Sequence, residues 1–151
     1  MRIHLFASAV AVATVVGLAA PAFAQKARVV EMTGNDAMKF SVTSIEAKPG
    51  ETLTVKLKSV GTLPKIAMAH NFVLLVLGTD ATAFANAAAT AAPTYIPAAM
   101  KAKVIAMTGM AGPGETVQVT FKVPAKPGKY EFICSFPGHF LAGMKGVLVV
   151  K

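Results

Sequence analysis

Cys134-Ser135-Phe136-Pro137-Gly138-His139-Phe140-Leu141-Ala142-Gly143-Met144 places a thiol, an imidazole and a thioether within one short stretch. Strand pattern flanks it on both sides. Tyr130, Phe132 and Cys134 alternate onto one face before it, and Gly146 to Lys151 is rich in β-branched residues after it. The stretch therefore reads as a loop joining two strands at one end of a sheet. Such a loop brings three reactive side chains to one point only if something rewards the convergence.

Outward from that loop, most of the chain is short alternating segments divided by turn signals. Ala27 to Thr33 and Met38 to Ile45 read as strands, the second with Phe40 and Val42 on one face. Glu51 to Ser59 alternates cleanly, with Leu53, Val55 and Leu57 facing in and Thr52, Thr54, Lys56 and Lys58 facing out. Asn71 to Leu77 is apolar throughout, as for a central strand buried on both faces. Lys103 to Ala106 and Thr116 to Val123 follow, the latter with Val117, Val119, Phe121 and Val123 inward. Pro49-Gly50, Pro113-Gly114 and Pro127-Gly128 punctuate the pattern. Between Thr79 and Ala92 an alanine-rich run reads as a helix with Asp80 as its N-cap, laid over the sheets as a flap and stopped by Pro93 and Pro97. The expectation is an all-β fold, an antiparallel Greek-key β-sandwich of about eight strands with one short helical flap.

The first 24 residues differ from the rest. Arg2, an apolar run from Leu5 to Ala20 and the exit Ala22-Phe23-Ala24 are the three parts of a secretory signal peptide. The reading is a cleaved leader over 1–24, one domain over 25–151, and a periplasmic protein with no stable membrane insertion. Losing Arg2 leaves 14 Lys and Arg against 7 Asp and Glu, a net charge of +7. The basic residues are scattered singly, with no cluster or motif for nucleic acid, and that partner class is excluded.

An exported chain with one cysteine has an odd thiol, which is a ligand, a reactive group or an intermolecular bridge. His4 lies in the leader, so His70, His139 and Cys134 are all the imidazoles and thiols of the mature chain. Singly, His70 reads as a satisfied structural residue and Cys134 as an inert buried thiol; jointly they leave no spare ligand. Two imidazoles, one thiolate and a weak thioether, here Met144, form the donor set of a blue (type 1) copper site, in which soft sulfur favours Cu(I) and imidazole serves both oxidation states. Met32, Met38, Met100, Met107 and Met110 read as core packing.

Three ordered motifs resemble the azurin and auracyanin family of blue-copper, or cupredoxin, proteins. They are Gly34-Asn35-Asp36-Ala37-Met38, Leu63-Pro64-Lys65 with Met68-Ala69-His70-Asn71, and Cys134 to His139 followed by Met144-Lys145-Gly146. The likeness covers essentially the whole mature chain. It implies His70, Cys134 and His139 as equatorial copper ligands and Met144 as the axial one, with Asn71 tying the ligand loops together. Azurins carry glycine before the first histidine, where its carbonyl makes a distant contact with the metal; here that position is Ala69. The spacing from His139 to Met144, and the absence of azurin's paired cysteines, lean toward auracyanin.

The resemblance implies a one-electron carrier rather than an enzyme. A nitrite reductase or multicopper oxidase needs further copper and repeated domains, and a hydrolase needs an oriented base and an open cleft. The alternative is a periplasmic copper-delivery protein without redox turnover. Met68 and Phe136 admit two readings, core filler or part of an apolar rim around an exposed edge of His139; in the second, with Leu63, Phe140, Leu141 and Ala142, they would form a patch where redox proteins dock on a monomer.

Overall fold

The computed structural model describes residues 26–151. The expected leader, residues 1–24, lies outside them. In chain order the elements are β1 (Arg28–Asn35), β2 (Lys39–Phe40), β3 (Ser44–Ala47), β4 (Thr52–Ser59), β5 (Val73–Leu75), α1 (Ala81–Ala88), a 3-10 turn (Ala98–Lys103), β6 (Val104–Met107), β7 (Thr116–Lys122), β8 (Gly128–Ile133) and β9 (Lys145–Val150). They form a sandwich of two sheets, ordered β2-β1-β4-β7 and β3-β9-β8-β5-β6.

Among the described residues the count is nine strands because the expected strand over 38–45 divides. Its first part, β2, turns back on β1 with Asn35 opposite Lys39, and its second, β3, crosses to the other sheet and pairs with β9. The sheets are also mixed rather than antiparallel. β1 runs parallel to β4 over Arg28↔Leu53 to Gly34↔Ser59, and β3 runs parallel to β9. Side chains alternate with period two in either ladder, so the hydrophobic pattern carries the face of a residue and not the direction of its neighbour.

The expected inward set of β4 is the centre of the core: Leu53, Val55 and Leu57 are fully buried, opposite Phe121 and flanked by Met32 on one sheet and by Phe72, Leu74, Phe132 and Leu148 from the other. The Phe72 and Phe132 rings meet at 5.1 Å between centroids. Of the methionines expected in the core, Met32 is buried, whereas Met107 on the edge strand β6 is 39% exposed.

β5 is buried on both faces, as its unbroken apolar sequence implies. Leu74 points into the sandwich, while Val73 and Leu75 point the other way, toward Ala81, Phe84 and Ala88 of α1. An eight-residue helix is too short to persist in water alone. Here Asp80 accepts from the amides of Thr82 and Ala83 at 2.9 and 3.0 Å, and Phe84, fully buried, anchors the helix to the sheet with about 1.5–3 kcal/mol of apolar burial. No helix among the described residues is long and apolar enough to cross a membrane.

Candidate metal centre

β8 ends at Ile133 and β9 begins at Lys145, so Cys134 to Met144 forms a loop at one pole of the sandwich. Backbone bonds close it on itself: Cys134 donates to the carbonyl of Met144 at 3.0 Å, Met144 to that of His139 at 2.9 Å, and His139 to that of Phe136 at 3.1 Å. The left-handed conformations this closure needs fall on glycine, at Gly138 (φ 82°) and Gly143 (φ 95°). His70 arrives from the loop after β4 and is pinned by a two-way backbone bridge with Ala111, at 2.9 and 2.7 Å.

These loops bring His70, Cys134 and His139 together, with their ligand atoms all within 4.8 Å of one another and every residue buried. His70 Nδ1 stands 3.3 Å from His139 Nδ1, which stands 3.4 Å from Cys134 Sγ. Three donors set trigonally about one ion, with bonds of about 2.0 Å to nitrogen and 2.3 Å to sulfur, are separated by roughly 3.5 Å. The triangle therefore has the size of a single-metal donor set. Met144 is fully buried beside it. A Cβ placed on Gly34 would lie 2.8 Å from the Met144 methyl and 3.0 Å from two atoms of the His70 ring, so this glycine at the end of β1 makes room for both side chains.

Burial dominates the electrostatics. It pushes the His139 imidazole down to about 4, helped by its neighbour His70, and lowers His70 against the opposing pull of the Asp36 carboxylate. Both rings are therefore neutral at pH 7, the form that donates a lone pair to a metal. Burial pushes the Cys134 thiol up to about 12, offset in part by backbone N–H groups of Asn71 and Phe136 directed at the sulfur. A thiol this costly to ionise stays protonated until a cation takes the proton's place on the sulfur, the proton being released to solvent. Neutral imidazoles and a sheltered soft sulfur fit copper, and no carboxylate belongs to the cluster.

Asn71 clasps the two ligand-bearing loops. Its Oδ1 accepts from the Ser135 amide at 2.8 Å and its Nδ2 donates to Ser135 Oγ at 2.9 Å, with both residues 1% exposed. The Ala69 carbonyl oxygen lies 3.9 Å from Cys134 Sγ. Ser135 gives no local signal in the sequence; its pairing with Asn71 spans 64 residues.

The apolar rim is narrower than expected. Phe136 is buried, packed between the rings of Tyr95 and His139 at 5.1 and 4.8 Å, and Phe140 is buried in the cluster around α1. His139 itself is 2% exposed, so the expected exposed ring edge is nearly covered. Met68 and Ala142 are half-buried. Leu63 and Leu141 are exposed, and Ile66, 90% exposed, joins them from the His70 loop. An aromatic beside a ligand can fill a core or face solvent, and the local sequence does not distinguish the two.

A sequence model described as copper binding proteins, plastocyanin/azurin family, matches residues 27–151. Auracyanin-B of Chloroflexus aurantiacus is 42% identical over 117 residues, covering 76% of this chain; the match spans about half, 48%, of that protein's length. Azurin of Pseudomonas fluorescens biotype C is 40% identical over 126 residues, 81% of this chain and 97% of the azurin. Among solved structures, dithionite-reduced auracyanin from Roseiflexus castenholzii superposes with a TM-score of 0.73 at 33% identity, over 83% of this chain and 98% of that one.

Proposed function

Because this chain belongs to the plastocyanin/azurin family of copper-binding proteins, we propose that it carries single electrons outside the cytoplasm on one bound type 1 copper. It is an electron-transfer cupredoxin and not an enzyme. The observation that carries the reading is the buried triangle of His70 Nδ1, His139 Nδ1 and Cys134 Sγ, with edges of 3.3 and 3.4 Å. When bound, copper supplies one-electron chemistry by alternating between Cu(II) and Cu(I).

The protein's own part is to hold donors still and keep water out. In this reading His70, Cys134, His139 and Met144 would hold the copper, with the Ala69 carbonyl as a more distant contact. Loops fixed by the Asn71–Ser135 clasp and the His70–Ala111 bridge present one geometry to both oxidation states, which keeps the rearrangement accompanying each electron small. Electrons enter and leave near His139, through the pole where Leu63, Ile66 and Leu141 are exposed and a redox protein can approach. An interface below about 1,200 Å² suits such a brief encounter.

A copper-delivery role without redox turnover is less well supported. Transfer to another protein requires donors that the acceptor can reach, and His70, Cys134 and Met144 are wholly inaccessible. The leader-like segment 1–24 supports export to the periplasm. The test is reconstitution of the metal-free protein with Cu(II). The expected result is one copper per chain and an intense thiolate-to-copper absorption that bleaches reversibly with reductant and is missing from Cys134→Ser. A Cys134→Ser protein that turns blue refutes the assignment.

A further inference from the structure

We propose that the redox partner is an acidic protein, one that takes Leu141 into an apolar socket and sets carboxylates against Lys39 and Lys145. This rests on the electron-carrier reading and specifies the chemistry of the protein on the other side. Leu141, 69% exposed, is the one large hydrophobic side chain of the ligand loop that is exposed, Phe136, Phe140 and Met144 all being buried. Both of its chain neighbours are engaged by ammonium groups. Lys39 Nζ donates to the carbonyl of Ala142, and Lys145 Nζ lies 4.8 Å from the centre of the Phe140 ring. The apolar knob is thus bracketed by two cations.

The placement of Lys39 is built into the fold. Asn35 Oδ1 accepts from the amides of Ala37 and Lys39 at 3.1 and 3.2 Å, tightening the turn that leads into β2, and the ladder sets Asn35 opposite Lys39. Across the gap, a Cβ on Gly143 would lie 2.8 Å from Lys39 Nζ, so the glycine leaves space for the ammonium. A lysine from the start of the domain reaches a loop 103 residues later by this route.

Neither cation is neutralised. Among the described residues the ion pairs are Arg28–Glu51, Lys56–Glu31, Lys65–Glu115 and Lys151–Glu46, and none includes Lys39 or Lys145. A carbonyl and an aromatic face satisfy an ammonium in part but cancel none of its charge. The Leu63 side of the same pole is different. There Lys65 is matched by Glu115, and the Asp36 carboxylate accepts from the amide and hydroxyl of Thr62, giving one cation against two carboxylates. The pole is therefore electrically lopsided, with its uncompensated positive charge on the Leu141 side. A neutral surface seated on Leu141 would desolvate two cations without compensation, and a second copy of this chain would bring like charges together. Carboxylates beside an apolar socket compensate both cations and fix the partner's orientation.

The experiment uses the copper-loaded protein and two small redox probes of opposite charge. Reduced protein is mixed with hexacyanoferrate(III) or with tris(phenanthroline)cobalt(III); one electron passes from Cu(I) to Fe(III) or Co(III), leaving Cu(II) and the reduced complex. In Lys39→Gln/Lys145→Gln at low ionic strength, the ratio of the anion's rate to the cation's is expected to fall by about tenfold, within the range of electrostatic steering. In Lys122→Gln/Lys129→Gln, which removes the same charge at the opposite pole, it should fall by less than half as much. The Lys39→Arg/Lys145→Arg protein should keep the wild-type ratio. Titrating the reduced, diamagnetic protein with redox-inert hexacyanocobaltate(III) should shift the amide signals of Ala142, Gly143 and Lys145 first. An unmoved ratio in the first variant, or an equal fall in the opposite-pole variant, overturns the proposal. A protein that never turns blue with Cu(II) would instead defeat the electron-carrier reading, and does so before any rate is measured.

Discussion

Asn71→Ala removes two hydrogen bonds with one truncation. The Ser135 amide and hydroxyl, which meet Asn71 at 2.8 and 2.9 Å, are left in a site where Ser135 is 1% exposed and water has no ready access. A buried polar group stranded in this way costs about 1–3 kcal/mol, so the pair sets the expected loss at about 2–6 kcal/mol. The backbone N–H of Asn71 that points at the Cys134 sulfur survives the substitution, which confines the change to the clasp. The measurement is urea unfolding of the metal-free protein, where stabilisation by bound copper does not contribute. With a slope of about 2 kcal/mol per molar urea, the middle of the typical range, the midpoint should fall by about 1–3 M. A double-mutant cycle with Ser135→Ala should give a coupling energy of about 1 kcal/mol or more, because each side chain has its partner in the other. A loss below about 1 kcal/mol with no coupling would refute the claim that this clasp holds the two ligand loops together.

Three further substitutions probe the site and its surface. Gly34→Ala would put a methyl 2.8 Å from that of Met144 and 3.0 Å from the His70 ring, so copper should be retained with an altered reduction potential and absorption spectrum; unchanged values of both would show that the crowding is relieved elsewhere. Met144→Leu should keep copper and raise the potential, since loss of a weak axial thioether favours Cu(I); voltammetry checks this, and copper loss or an unmoved potential argues against an axial role. Leu141→Lys should slow electron self-exchange markedly, read by NMR line broadening, with the spectrum intact; an unchanged rate moves electron entry to another surface.

The chemistry at the pole was legible because ligands are chosen by residue type. Two imidazoles and one thiol among the described residues leave few ways to build a site, and Cys134, His139 and Met144 lie close enough in the chain that one loop must carry them. The strands over 52–59 and 116–122, and the helix capped by Asp80, were equally readable, since alternation and capping are local. The docking rim was not: Phe136 admitted both a core and a rim reading and packs against Tyr95, while Phe140, placed at the rim, is absorbed by the α1 cluster.

By itself, then, the sequence determined which groups can bind a metal, which faces of the strands are apolar, and where the chain turns, because each depends on residue identity and short-range periodicity. Only the tertiary structure decided that β1 runs parallel to β4 and β3 to β9, that Ser135 is the partner of Asn71, that Gly34 makes room for Met144, and that Lys39 reaches Ala142. Each of these joins residues far apart in the chain. Contacts of that kind are set by how the two sheets stack and how the loops cross between them, and no local pattern encodes them.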